Sequence, residues 1–250
     1  MATVEMNILG PVRSVLLNRA EKRNALDGAM LDRLTEIFTA PPGPDERLAV
    51  LRAAGPVFCA GLDLRAGGAA RAQSPIEPML HAVENYPLPV VAVVQGDAIA
   101  GGSELALHCD LVIASAAARF GMSLAQIGLA PSWFLAKKLL EVAGPVATRK
   151  ILFLGDPLPA TRLYDLGAIS HVASPEALAA TADEVILRLA ANAPLSLRAM
   201  KAVLVRQMAF RDGISHADVD RLVAEAQLSA DAREGMAARL QKREPRFEGR

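Results

Sequence analysis

The stretch Gln95–Asp110, QGDAIAGGSELALHCD, decides how the chain is read, because it joins an apolar strand to a glycine turn, a single glutamate and a short apolar helix. Just before it, Val90–Val94 is a continuous VVAVV run without polar alternation, the pattern of a strand buried on both faces. Gly101 and Gly102 are expected to turn the chain, and Ser103–His108 resumes with good helix formers. The N–H groups near the two glycines then lie at a helix start, unpaired and aimed outward. Such groups can hold an oxygen that gains negative charge during a reaction, with Glu104 one step away as a proton carrier. The same residues also fit a plain strand, turn and helix with an exposed, capping glutamate, so a second stretch is needed to decide.

That second stretch is Val57–Arg65, VFCAGLDLR, another apolar strand running into a glycine turn. Two such turns can each present a backbone N–H, from Leu62 and from Gly101, to one oxygen, and together they form an oxyanion hole. Around them, Val4–Asn18 alternates about Gly10-Pro11 as two strands and a tight turn. Asp27 suits a helix N-cap, with Met30, Leu31, Leu34, Ile37 and Phe38 forming one buried stripe behind it. Leu48–Arg52 and Leu111–Ala114 read as further strands. Gly67, Gly68 and their alanines suggest a mobile loop beside the site, and Phe120–Gly128 lacks periodicity and is expected to line the same cavity. Pro131 suits a helix start and Gly144 its end, Ile169–Ala173 a last strand, and Ser174-Pro175 an N-cap and first helical residue.

With 250 residues the chain can bury a large core, and 27 basic against 27 acidic residues give it no net charge to draw it to nucleic acid or to a membrane surface. Cys59 and Cys109 have no metal-type spacing and sit among apolar residues, so buried reduced thiols and a cytoplasmic setting are expected, with no metal site. No run approaches the length of a membrane span. The last sixty residues carry helical stripes such as Val219, Leu222, Val223 and Ala226, which suit an appendage that folds over the core or meets another subunit.

Taken together the chain resembles the crotonase, or enoyl-CoA hydratase/isomerase, superfamily. The likeness runs from Leu17-Asn18-Arg19 and Arg23–Leu26 through Phe58–Leu64, Gln95-Gly96, Gly101–Ala106, Cys109-Asp110, Phe120-Gly121 and Gly128-Leu129 to Lys242–Phe247. It implies an α/β fold, a crotonase-like spiral of ββα units over residues 1–192, with a helical C-terminal trimerisation region over 193–250. The partners it implies are an acyl-CoA thioester and copies of the same chain, as a homotrimer or a dimer of trimers. It implies no cofactor, coenzyme A being part of the substrate. By resemblance, Leu62 and Gly101 polarise the thioester carbonyl, Glu104 transfers protons, and the Ala60 backbone with Arg23 and Arg65 holds the adenosine diphosphate part. Ala25 and Asp63 belong to the same binding motifs, and Lys242 and Phe247 match a tail that can reach a neighbour's CoA.

The pattern breaks at two places. Hydratases of this family use a second glutamate after the Phe-Gly pair, and in Phe120–Gly128 that position is Leu124. Leucine transfers no proton, so the resemblance implies an acyl-CoA hydratase/isomerase-type lyase or isomerase with one glutamate, and the alternative is a homologue that binds acyl-CoA without turning it over. Ser132 and Trp133 replace a Gly-Gly-Thr run of many relatives, so the indole is expected to reshape the acyl pocket; a purely structural core aromatic fits equally.

Overall fold

The computed structural model describes residues 2–64 and 75–250; Arg65 and the Gly67-Gly68 segment lie outside the described residues. Strands β1 (Val4–Leu9) and β2 (Val12–Leu17) pair antiparallel as the opening hairpin. Gly10, at φ 59°, takes the turn residue's left-handed conformation. Strands β3 (Leu48–Ala53), β4 (Val90–Val94), β6 (Leu111–Ser115) and β9 (His171–Ala173) then add in parallel, giving the order β1-β2-β3-β4-β6-β9. A second, small sheet of β5 (Ala98–Ile99), β7 (Arg119–Gly121) and β8 (Leu158–Pro159) has the order β5-β7-β8.

The large sheet is covered on both faces, which explains the missing alternation in VVAVV. Val90, Ala92 and Val94 belong to the main core with helices α1 (Gly28–Thr39) and α2 (Glu77–Asn85). Val91 and Val93 point the other way and pack with Leu48, Val50, Ile113 and the Leu178 and Ala182 face of α6 (Leu178–Ala190). Asp27 caps α1 by accepting from the Met30 N–H at 3.0 Å, and all five stripe residues of that helix are buried.

Several boundaries differ from expectation. Val57–Cys59 is no regular strand: Cys59 makes only an isolated bridge to Ala98, although Phe58 and Cys59 are fully buried. The turn before α3 (Gly101–Leu107) falls on Ala100, at φ 49°, and the two glycines are the first helical residues. They are needed for close approach, since a Cβ on Gly102 would lie 2.2 Å from the Cys59 carbonyl oxygen. Helix α4 (Trp133–Leu154) begins after an N-cap at Ser132, two residues past Pro131's expected start, because the serine oxygen accepts from Leu135 N. Gly144 interrupts α4 at φ 72° and the helix resumes from Pro145. After α5 (Ala160–Asp165), Ser174 caps a preliminary turn through Ala177 N, so α6 starts three residues later than Pro175. Cys59 and Cys109 are free and buried.

The C-terminal helices α7 (Pro194–Met208), α8 (Ala217–Leu228) and α9 (Ala230–Gln241) return to the same chain's core. On α7, buried Lys201 reaches Asp110 at 2.7 Å and the Leu88 carbonyl at 3.2 Å, the pairing a buried ammonium requires. No helix among the described residues is long and apolar enough to cross a membrane.

The glycine geometry gives opposite signs for one substitution. Gly102→Ala forces a methyl into the Cys59 carbonyl and is expected to destabilise by about 1–3 kcal/mol or more. Gly28→Ala, at the helical start of α1 with open space around it, is expected to stabilise by about 0.4–1 kcal/mol. Urea unfolding of the two variants against the parent chain checks both.

Candidate active site

The two turns meet. Leu62 makes a parallel bridge to Leu26, in which Leu26 N donates to the Gly61 carbonyl and Asp63 N to the Leu26 carbonyl, so Leu62's own N–H points to the opposite side. Gly101 opens α3 and its N–H has no intrahelical acceptor. A methyl placed on Gly101 would sit 3.5 Å from the Leu62 nitrogen, and one on Gly61 would sit 3.1 Å from the Gly101 nitrogen, so the two donors are close neighbours. Among the described residues nothing accepts from either. Gly61, at φ 89°, supplies the left-handed conformation and the close approach that this meeting needs.

Glu104, on the first turn of α3, is 1% exposed, and neither carboxylate oxygen has a hydrogen-bond partner. The exposed, capping glutamate is thereby excluded. Burial holds its carboxyl well above the usual carboxylate range, the Glu77 charge adds to this, and Lys138 opposes it. His108, one turn on, is driven by the same burial, with help from Lys138, down to about 3. Its Nδ1 lies 2.8 Å from the Glu104 carbonyl and 3.9 Å from the carboxylate. Proximity alone does not make this an ion pair, because burial disfavours the charged form of both groups. His108 also packs at 5.0 Å on the Phe134 ring, so it is a core residue rather than a proton carrier in the cavity.

Glu104, Leu62 and Gly101 line an inner chamber of about 150 Å³ together with Ile76, Leu124 and Leu135. The chamber shares Ala60, Leu62, Leu64, Ile99, Ser123 and Arg239 with an adjoining groove of about 650 Å³. The groove takes in Arg23, Ala25, Asp63 and Lys242, so these sequence-derived positions and the two N–H groups share one continuous depression. Lys22 lies there too. Ala60's own N–H is occupied by the Arg23 carbonyl at 3.0 Å, while nothing among the described residues is seen to donate to its carbonyl. Asp63 pairs with Arg19 at 2.8 Å, a contact that braces the turn rather than presenting a charge to a phosphate.

Two positions fall elsewhere. The Trp133 indole stacks on His216, centroids 4.7 Å apart and 5° from parallel, and does not line the chamber; Ser132 beside it does. Phe247, 45% exposed on the tail, reaches neither cavity of its own chain. Sequence reasoning passed over Ser123, Gln227 and Arg239. For Arg239 a signal existed, since it stands three residues before Lys242, on the helix that leads into the tail motif.

This fold and this pair of backbone donors over a buried carboxyl define the crotonase class. Residues 8–250 match the Enoyl-CoA hydratase/isomerase family model, and the chain belongs to that family. It is 32% identical to an enoyl-CoA isomerase/hydratase of Mycosarcoma maydis, over 96% of this chain and 93% of that protein. It is likewise 32% identical to the (E)-benzylidenesuccinyl-CoA hydratase of Thauera aromatica, over 98% of this chain and 99% of that one. A solved structure of methylmalonyl-CoA decarboxylase complexed with 2S-carboxypropyl-CoA superposes with a TM-score of 0.91 at 25% identity, covering 100% and 99% of the two chains.

The buried carboxyl has a measurable consequence. The folded state keeps the Glu104 proton above the ordinary value of 4.5, where the unfolded chain loses it, so this group's stability contribution is complete below pH 4.5 and falls as pH rises towards the folded value. The slope approaches about 1.4 kcal/mol per pH unit within that window. Glu104→Gln removes the loss, whereas the opposite contribution of His108 is common to both proteins. In urea unfolding, the variant is expected to gain stability over the parent progressively as pH rises above 5 and to lose that advantage near pH 4.

Proposed function

We propose that the chain is an acyl-CoA enzyme in which one carboxyl, Glu104, moves a proton at carbon next to a polarised thioester. In this reading the Leu62 and Gly101 N–H groups donate to the thioester oxygen and stabilise the enolate that forms when the α-proton leaves. Glu104 takes that proton as carboxylate and returns it as acid. A raised carboxyl pKa suits both roles near neutral pH. The observation that carries the reading is the Glu104 carboxyl, buried with no hydrogen-bond partner beside two unclaimed backbone donors. The nucleotide part of the substrate takes the groove, where Lys22, Arg23 and Lys242 supply positive charge for phosphates, with Arg65 assigned to the same role. The proposal invokes no cofactor beyond the coenzyme A of the substrate.

Leu124 shapes the choice within the family. Hydration needs one group to activate water and another to protonate carbon, and with leucine in the chamber wall only Glu104 is present for both. Proton transfer of the isomerase kind needs one. The same leucine favours a second reading, binding of acyl-CoA without turnover.

Glu104→Gln separates the two. Assayed on 3-enoyl-CoA and 2-enoyl-CoA substrates, it is expected to lower turnover by roughly 10²–10⁴ while acyl-CoA binding, followed by calorimetry, persists. Binding with no turnover by the parent chain on any substrate establishes the binding-only reading instead.

We further propose that the protein works as a trimer or a dimer of trimers, through the region 193–250. Leu195, Met200, Val203, Leu204, Phe210 and Leu222 are 59–77% exposed in the single chain, far more apolar side chain than a C-terminal arm of this size leaves in water. Sedimentation velocity at micromolar concentration is expected to show a species of three or six times 26.4 kDa, and a monomer that still binds acyl-CoA refutes the assembly.

A further inference from the structure

We propose that the acyl group received by the inner chamber carries an anionic terminus, and that Arg239 is the specificity-determining side chain that pairs with it. The inference rests on the acyl-CoA reading above and deepens it.

The placement of Arg239 is set by backbone contact. A Cβ on Gly235 would lie 2.4 Å from the Ile127 carbonyl carbon, and one on Gly128 would lie 2.7 Å from the Ala232 nitrogen. Helix α9 therefore touches the chamber wall backbone to backbone, and Arg239 follows one turn after Gly235. Its Nη2 donates to the hydroxyl of buried Ser123 at 2.5 Å, which holds the guanidinium on the seam between chamber and groove.

That guanidinium has no acidic partner among the described residues. Other cations of and beside the arm are matched: Arg243 pairs with Glu234, and Lys137 of α4 with Asp212 of the arm. Glu104, the one carboxyl among the described residues that line the chamber, makes no hydrogen bond or ion pair to Arg239. A guanidinium offers five N–H donors in a fixed fork that matches a carboxylate, and one hydroxyl uses few of them. An acyl group that is purely hydrocarbon leaves the remaining guanidinium donors unmet. The chamber is small, about 150 Å³, so the group is short, and a four-carbon monothioester of a dicarboxylic acid supplies the matching charge.

Calorimetric titration of the full-length protein with succinyl-CoA, butyryl-CoA and free coenzyme A tests this. The parent chain is expected to bind succinyl-CoA at least ~10-fold more tightly than butyryl-CoA, the effect of one hydrogen-bonded charge pair. In Arg239→Gln that ratio is expected to fall to within about twofold, and Arg239→Lys, which keeps the charge without the fork, is expected to fall between. Ser123→Ala, which frees the guanidinium without removing it, is expected to lower the ratio as well and guards against misfolding of the arginine variants. A ratio near one in the parent chain overturns the inference. So does an unchanged ratio in Arg239→Gln, including the case in which all three ligands weaken together, which assigns Arg239 to the coenzyme A phosphates. Failure of the parent chain to bind any of the three, free coenzyme A included, is a different result: it defeats the acyl-CoA reading, and this inference with it.

Discussion

The approach of the α3 backbone to the Cys59 carbonyl is the constraint on which the site depends. The contact leaves no room for a side chain at Gly102, and the left-handed backbone at Gly61 and Ala100 brings the two turns into register from either side. Residues some forty positions apart in sequence thereby place two N–H groups side by side. No side chain makes either donor, so evolution can vary the chamber walls while the donor pair stays intact, as long as the glycines stay small. The same packing fixes where Glu104 emerges, because it sits on the first turn of the helix whose start the contact sets.

Leaving a carboxyl in that position without a hydrogen bond costs stability, and the cost falls most heavily on the charged form, so burial raises the pKa. Leu124 contributes to the same economy. A second carboxyl in so small a chamber would place two acids close enough that one proton is shared between them, and the ionisation of Glu104 would depend on its partner. With leucine there, the ionisation of Glu104 follows from burial and from the more distant Glu77 and Lys138 charges alone. The substitution thus does more than remove one proton carrier: it makes the remaining one a simple acid whose strength is set by desolvation.

How much of this was legible in the sequence depends on the scale of the interaction involved. The VVAVV run, the opening hairpin and the α1 stripe were readable because periodicity reports burial along a single element. The two oxyanion turns were readable as glycine positions, but the reason for the glycines was not: they exclude a Cβ from a distant carbonyl, whereas the positive φ falls on Ala100, a residue type that does not advertise it. The starts of α4 and α6 moved because serine oxygens claimed particular N–H groups, a choice between neighbouring caps that propensity does not rank. Trp133 looked like a pocket wall from its alignment, and only the arrival of His216 from α8 explains where the ring goes. Arg239 and Gln227 reach the chamber because α9 and α8 fold back over it, a long-range event with no local mark.

The folding back of those helices ties assembly to the site. Helix α8 carries Gln227 on the face that closes the chamber, while Leu222 and Leu228 on the same helix are 64% and 58% exposed. In the proposed trimer, a neighbouring chain that covered the outer face would restrain the very helix that forms part of the inner wall. Helix α9 is different, because Gly128 and Gly235 seat it directly on the chamber turn and Arg239 is anchored through Ser123 within one chain. The wall is thus built in two parts, one fixed by intrachain backbone contact and one whose outer face is still apolar and uncovered. Under the proposed assembly, ordering of the Gln227 side of the chamber is the part that would gain from association, whereas Arg239 is already anchored within the single chain.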